Sequence, residues 1–163
     1  MPWVHGDWID EEDAGNAPPS RWSFAPYVRQ LFVQAGWRPL PPPAPEDAGD
    51  AMARAASLLQ EFGGLDVGAS GSGIEHAAGN LEFFAQPMPL PASHPWLRRW
   101  PGLHDAVAIA EACDTYVVVF LAADGRFLCL TDVDVKLYDC GADFVRFAET
   151  TLRGLAWPLP MAA

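Results

Sequence analysis

Basic side chains are scarce in this sequence. Its 163 residues hold 10 Lys and Arg, with Lys136 the single lysine, against 21 Asp and Glu, so the formal net charge is −11. Proteins that bind nucleic acid directly neutralise phosphates with clustered Lys and Arg. The composition therefore argues against direct nucleic-acid binding and favours a basic protein partner.

Long apolar runs are also missing. A membrane-spanning helix needs about 20 consecutive apolar residues. The longest uninterrupted run here, Tyr116 to Ala123, has the length of a buried strand. The N-terminus reaches a cluster of carboxylates without a basic or an apolar signal region. We therefore expect no signal peptide, no membrane contact and a cytoplasmic protein.

Cysteine occurs only three times, as Cys113, Cys129 and Cys140, and never in a compact CxxC pair. An odd number leaves one thiol unpaired in any disulfide scheme. If a hairpin turns at Thr131-Asp132, Cys129 faces about Asp134, and Cys140 lies further along the partner strand. We therefore expect buried free thiols and no cross-strand disulfide.

Half of the residues are hydrophobic, and a chain of this length is expected to form one core. Residues 1–22 are acidic and show no apolar period, which predicts an acidic arm. We expect a single domain over residues 23–157 and a short tail over residues 158–163.

Two helices are predicted in the first half. The first is capped by Ser23 and stops at Gly36, and the second is opened by Pro45-Glu46-Asp47 and ends at Gly63-Gly64. A proline-rich link over residues 39–45 separates them. The apolar positions at helical spacing are Phe24, Val28, Leu31, Phe32 and Ala35 in the first helix, and Met52, Ala55, Ala56, Leu59 and Phe62 in the second.

The middle of the chain predicts short strands at residues 65–67 and 81–84, separated by a glycine-rich loop. Five prolines between residues 87 and 101 then predict a long surface connection.

The last third predicts an antiparallel meander followed by a helix. Strands at residues 106–110, 116–122 and 126–130 are linked in part by the hairpin signal Asp124-Gly125. Residues 133–138 then alternate apolar and polar, as in a strand with one face in water. A closing helix stops at Gly154, with the apolar stripe Phe144, Phe147, Ala148, Thr151, Leu152 and Leu155. The fold class is α+β: an antiparallel β-meander sheet with two N-terminal helices and one C-terminal helix packed against it.

No group of residues predicts catalysis, a metal site or a cofactor. The glycine run lacks the GK[ST] of a phosphate loop and the GxSxG of a nucleophile elbow. His94, His104 and Cys113 match no compact zinc pattern. Asp132 and Asp134 have the spacing of a solvated strand face as well as that of paired acids. A small hydrolase stays open only if His94, His104 and Glu111 converge in a pocket.

Four short motifs together resemble a known family, the third family of the SUKH superfamily. They are QAGW at residues 34–37, EFGGL at 61–65, VVVFLAADGRFLCL at 117–130 and YDCGADF at 138–144. The resemblance covers about Ser23 to Ala156, and it lies in the order and spacing of the motifs.

This resemblance implies a cytoplasmic immunity protein of a bacterial polymorphic toxin system. Such a protein binds and neutralises a cognate toxin, often a nuclease with a basic site, and is not an enzyme. The resemblance carries over no catalytic residue. The alternative is an intracellular regulatory protein-interaction domain on the same scaffold.

The motif residues have expected structural roles, and the partner-binding residues are expected on the variable surface around them. Trp37 is expected to cap the packing of the first helix on the sheet, and Gly63, Gly64 and Gly125 to allow turns. The candidate partner-binding residues are Asp10, Glu11 and Glu12 in the arm, Glu75 in the glycine-rich loop, and Asp132, Asp134 and Tyr138 on the exposed strand face.

Overall fold

The computed structural model describes residues 21–41 and 50–162. Within these ranges the α-helices are α1 (Pro26–Gln34), α2 (Ala51–Phe62), α3 (Pro95–Arg99) and α4 (Phe144–Arg153), and a 3₁₀ helix covers Pro101–Asp105. The strands are β1 (Asp66–Val67), β2 (Leu81–Pro89), β3 (Ala106–Ala112), β4 (Val117–Ala122), β5 (Phe127–Thr131) and β6 (Lys136–Asp139).

The six strands form one antiparallel sheet in the order β1-β2-β3-β4-β5-β6, so the predicted meander and the α+β class are confirmed. Gly125 has φ +90° in the β4–β5 turn, as expected for this hairpin. Asp124 and Arg126 flank it, and hydrogen bonds from Arg126 hold the pKa of Asp124 below its ordinary value.

One face of the sheet carries the main core, formed with α1, α2 and α4. Stacked and edge-on aromatic rings fill it. Phe62 lies at the centre, with ring centroids 5.2 Å from Phe32, 5.0 Å from Phe144 and 5.5 Å from Phe83. Trp22 packs on Phe144 at 4.8 Å and so joins the same core.

The opposite face of the sheet is also covered, which the sequence did not predict. Leu97 of α3, Trp100 and Leu103 pack against sheet residues such as Phe120 and Leu130. The proline-rich segment expected to be a surface connection is thus partly a second layer. β2 itself runs on to Pro89, beyond the predicted end at residue 84.

The helix starts differ from the predicted ones. α1 begins at Pro26 after Ala25, which makes no side-chain cap, so the Ser23 cap was wrong. α2 is capped by Asp50, whose side chain accepts from the Ala53 amide. The expected opening at Pro45-Glu46-Asp47 lies outside the described residues.

The helix ends agree with the prediction. Gly36 has φ +101° and Gly64 has φ +81°, conformations that L side chains rarely adopt. Gly63 is required for another reason: a Cβ there would lie 2.4 Å from the Leu59 carbonyl oxygen. The expected roles of Gly63 and Gly64 as a sharp exit from α2 are therefore confirmed.

The last predicted strand is shorter than expected. Residues 132–135 form the β5–β6 turn, in which Val133 is 80% exposed and Val135 has φ +51°. Asp132 and Asp134 therefore lie on a turn, and their placement on a strand face was wrong. The same shift changes the register, since Cys129 faces Tyr138 and not Asp134. The alternating apolar pattern failed here because a valine in a turn looks like a valine in a strand.

Candidate functional site: an acidic groove beside α4

The segment from Gly68 to Gly79, here called the glycine loop, docks on the C-terminal end of α4. Its amides donate to carbonyls that the last helical turn leaves free: Ile74 to Arg153, Glu75 and His76 to Gly154, and Gly79 to Thr151, at 2.8–3.0 Å. The loop thus supplies the missing partners of the helix end, and this contact positions Glu75.

Close backbone contact explains Gly73 in this loop. A Cβ on Gly73 would lie 2.0 Å from the His76 carbonyl oxygen and 2.8 Å from the Cα of Gly154. Gly154 follows α4 with φ +69°, which confirms the predicted helix stop. Two glycines from distant parts of the chain therefore let the loop touch the helix end.

A groove of about 800 Å³ opens beside α4 and is here called the acidic groove. Four carboxylates and one guanidinium line it, which gives the lining a formal net charge of −3. These residues are Glu75, Asp139, Asp143, Glu149 and Arg146. Trp157 and the half-buried thiol of Cys140 complete the wall.

The chain itself holds each carboxylate of the groove in place. Asp139 accepts from Arg126 at 2.7 Å. Asp143 caps α4 by accepting from the Arg146 amide at 3.2 Å. Glu75 and Glu149 are held in the same way, the first by the Ala156 amide at 2.6 Å and the second by Arg153 at 3.2 Å. All four carboxylates are thus fixed in position. Asp139 and Glu149 are ion-paired with Arg126 and Arg153, whereas Glu75 and Asp143 accept from backbone amides, so the last two offer a basic partner the less neutralised charges.

Trp157 separates the acidic groove from a second cavity of about 400 Å³. Its ring packs edge-on against Tyr138, with centroids 5.1 Å apart. Beyond it the chain lies along β6: Pro160 bridges to Tyr138, and the Met161 amide donates to the Leu137 carbonyl at 2.7 Å. The segment after α4 therefore covers part of the edge of β6.

The structure brings together only some of the candidate partner-binding residues. Glu75 and Tyr138 both contact the 155–157 region, Glu75 in the acidic groove and Tyr138 in the second cavity. Tyr138 is half-buried, so its expected full exposure was wrong. Asp10, Glu11 and Glu12 lie outside the described residues.

Asp132 and Asp134 do not line the groove. The Asp134 carboxylate is engaged by Thr131 and lies 3.5 Å from Lys136. The Thr131 hydrogen bond holds the pKa of Asp134 below its ordinary value, so this carboxyl group is ionised at neutral pH.

Sequence reasoning missed Asp139, Asp143 and Glu149 as parts of one site. They come from the end of β6, the cap of α4 and the second turn of α4, and nothing in their spacing shows that Glu75 joins them. The YDCGADF motif did mark the junction that supplies the first two.

Two motif residues meet in the core. The Trp37 indole donates to Glu61 at 2.7 Å, and both side chains are buried. The Nε of Arg21 lies 3.5 Å from the other oxygen of Glu61. Trp37 was expected to cap the packing of the first helix on the sheet. Its ring packs on Phe32 of α1 and Phe62 of α2, and the buried acid that receives its hydrogen bond was not predicted.

The histidines considered for chemistry are dispersed along the chain. His94 caps α3 by accepting from the Trp96 amide at 3.2 Å. His104 precedes β3 and Glu111 lies near its far end, a separation of about 16 Å or more at the rise of a strand. Among the described residues there is no group of three or more His, Cys, Asp or Glu placed to hold a metal ion. None of the helices in the described ranges is long and apolar enough to cross a membrane.

Comparisons with known proteins gave no match. No protein-family model matches the chain, and neither the search of curated proteins nor the search of solved structures found a similar protein.

Proposed function

We propose that this protein is an immunity protein of the SUKH type, which binds a cognate bacterial toxin in the cytoplasm of the producing cell and neutralises it. The toxin is a nuclease domain whose basic substrate site the protein occludes. The proposal rests on the acidic groove, because its size, fixed carboxylates and aromatic edge suit a protruding basic segment of a protein.

Charge complementarity supports this choice of partner. A nuclease must attract phosphates, so its substrate site carries Lys and Arg. The acidic groove offers such Lys and Arg side chains carboxylates in place of the phosphates of the substrate. These carboxylates belong to Glu75, Asp139, Asp143 and Glu149. Trp157 adds a large apolar surface next to these charges, as is common at the centre of protein interfaces.

Neutralisation by binding needs no catalytic group on this chain. Occupying the substrate site of the toxin is enough, provided that the complex is tight and forms quickly. Opposite charges on the two surfaces speed the encounter, and shape complementarity slows dissociation.

The direct test is co-expression with the product of the neighbouring large gene, which the proposal identifies as the cognate toxin. Cells that produce the toxin alone are expected to stop growing, and cells that also produce this protein are expected to grow. A purified pair should form a complex in which nuclease activity is lost.

Charge reversal locates the contact. Glu149→Lys places a cation in the groove and costs α4 only one i,i+4 pair, about 0.5 kcal/mol. We expect it to weaken the complex at least about tenfold, equivalent to about 1.4 kcal/mol. Glu82→Lys is the matched control, since it changes the net charge equally on β2, four strands away from β6.

Asp132→Lys tests the β5–β6 turn as the competing surface. If Asp132→Lys weakens binding and Glu149→Lys does not, the contact lies on the turn and the groove proposal is wrong. If the neighbouring gene product does not stop growth, with or without this protein, the immunity proposal is wrong. The alternative is then a regulatory interaction domain.

A further inference from the structure

Two thiols meet beneath the acidic groove. The Sγ atoms of Cys129 on β5 and Cys140, just after β6, lie 3.6 Å apart. Cys129 pairs directly with Tyr138, so Cys140 is its diagonal neighbour across the two strands. A disulfide requires the sulfur atoms to move closer by about 1.6 Å, since its bond length is about 2.0 Å.

The backbone holds this pair in register. The Cys140 amide donates to the Phe127 carbonyl at 2.8 Å, and the Phe127 amide donates to the Gly141 carbonyl at 2.8 Å. These bonds extend the β5–β6 ladder by one pair past Asp139. The two cysteines therefore stay adjacent while the ladder is intact, which favours their reaction with each other over reaction with other thiols.

The two thiols differ in access to solvent. Cys140 is half-buried and lines the acidic groove, whereas Cys129 is completely buried. Burial raises the pKa of the Cys129 thiol well above its ordinary value. A small oxidant that enters the groove therefore meets Cys140 first, and Cys129 is placed to react second.

We propose that Cys140 and Cys129 are a peroxide-oxidised thiol pair that closes reversibly to a disulfide, with Cys140 as the attacking thiol and Cys129 as the resolving thiol. This thiol pair does not depend on the toxin-binding proposal, although Cys140 lies in the wall of the same acidic groove. Disulfides in reducing compartments are mostly transient and regulatory, and a pair whose half-buried member faces a groove fits that class.

The chemistry balances with hydrogen peroxide as the oxidant. The Cys140 thiolate attacks one peroxide oxygen and the O–O bond breaks, which gives a sulfenic acid and a hydroxide that becomes water with the thiol proton. The sulfur of Cys129 then loses its proton and displaces hydroxide from the Cys140 sulfur, which leaves as a second water. The two thiols lose two electrons, and the peroxide gains them.

The experiment maps disulfides in the full-length protein after treatment with hydrogen peroxide and alkylation of the remaining thiols. Trypsin separates the three cysteines, because it cleaves after Arg126, Lys136 and Arg146. We expect peptides 127–136 and 137–146 to be linked, with a loss of two hydrogen atoms, about 2 Da. Cys113 should be alkylated, and a dithiol should reverse the link.

Three variants assign the roles. Cys113→Ser should form the same link and is the matched control, because Cys113 lies in the β3–β4 turn. Cys140→Ser should remove the link and leave Cys129 slow to react. In Cys129→Ala, Cys140 has no resolving thiol, so peroxide should oxidise it to a sulfenic acid and then to higher oxygen adducts.

Several outcomes would overturn the proposal. One is a peroxide-treated wild-type protein in which Cys140 gains oxygen while Cys129 stays free. Others are a link from either residue to Cys113, or a link only between two molecules. The disulfide map of the wild-type protein tests the proposed Cys129–Cys140 link even if a variant fails to fold.

Discussion

The hydrogen bond from Trp37 to Glu61 joins the segment after α1 to the last turn of α2. A carboxylate buried in an aromatic core needs all the polar partners it can reach. Here it has the indole N–H on one oxygen and Arg21 near the other. The last residue of QAGW thus contacts the first residue of EFGGL, and this hydrogen bond links the two motifs in the core.

Removing the donor tests the worth of this bond. Trp37→Phe keeps an aromatic ring but leaves a buried carboxylate oxygen without its N–H, and we expect a loss of about 1–3 kcal/mol beyond the change in packing. Trp100→Phe is the control, since Trp100 is equally buried at 4% exposed and its indole nitrogen has no hydrogen-bond partner among the described residues. Urea unfolding of both variants gives the comparison. Equal losses would show that packing alone explains the cost.

The glycine loop shows, at the level of elements, how a segment without regular structure positions one side chain of the groove, that of Glu75. Its amides satisfy the end of α4, and the loop in turn presents Glu75 to the groove. The approach depends on the absence of a side chain at Gly73, where a Cβ would meet only backbone atoms that cannot move aside easily.

Gly73→Ala is therefore expected to destabilise the fold by about 1–3 kcal/mol through overpacking. Gly71→Ala in the same loop is the matched control, because, apart from its two chain neighbours, no heavy atom of residues 21–41 or 50–162 lies within 4 Å of a Cβ there. It should change the free energy of unfolding by no more than about 0.5 kcal/mol. Urea melts give the stabilities, and amide hydrogen exchange at Glu75 and His76 shows whether the loop has left the helix. Similar exchange in both variants would contradict the role assigned to Gly73.

The elements themselves were largely predictable, because apolar periodicity and glycine stops are local signals. α4 ends at Gly154 and the β4–β5 hairpin turns at Gly125, both as predicted. Predictions failed where tertiary contacts override the local pattern: the second layer formed by α3, and the turn at residues 132–135. The groove could not be predicted from the sequence. Asp139, Asp143 and Glu149 are close in sequence, but Glu75 joins them only because the glycine loop docks on the end of α4.

At the scale of the whole molecule, charge is unevenly distributed along the chain. All ten basic residues and fourteen of the 21 acidic residues fall in the described ranges, a net charge of −4 for this part. The other seven acids belong to residues 1–20 and 42–49. For the proposed basic partner, long-range attraction is therefore expected to depend more on those segments, and short-range fit on the groove.

This division predicts different kinetic effects for two kinds of variant. Neutralising the arm with Asp10→Asn, Glu11→Gln and Glu12→Gln together should lower the association rate for the toxin severalfold at low salt and leave dissociation unchanged, because steering acts before contact. Glu149→Lys should instead raise the dissociation rate. Association of the wild-type protein should slow at least about tenfold from low to high ionic strength. Stopped-flow measurements over a salt series resolve both rates, and association that does not vary with salt would remove electrostatic steering while leaving occlusion by shape in place.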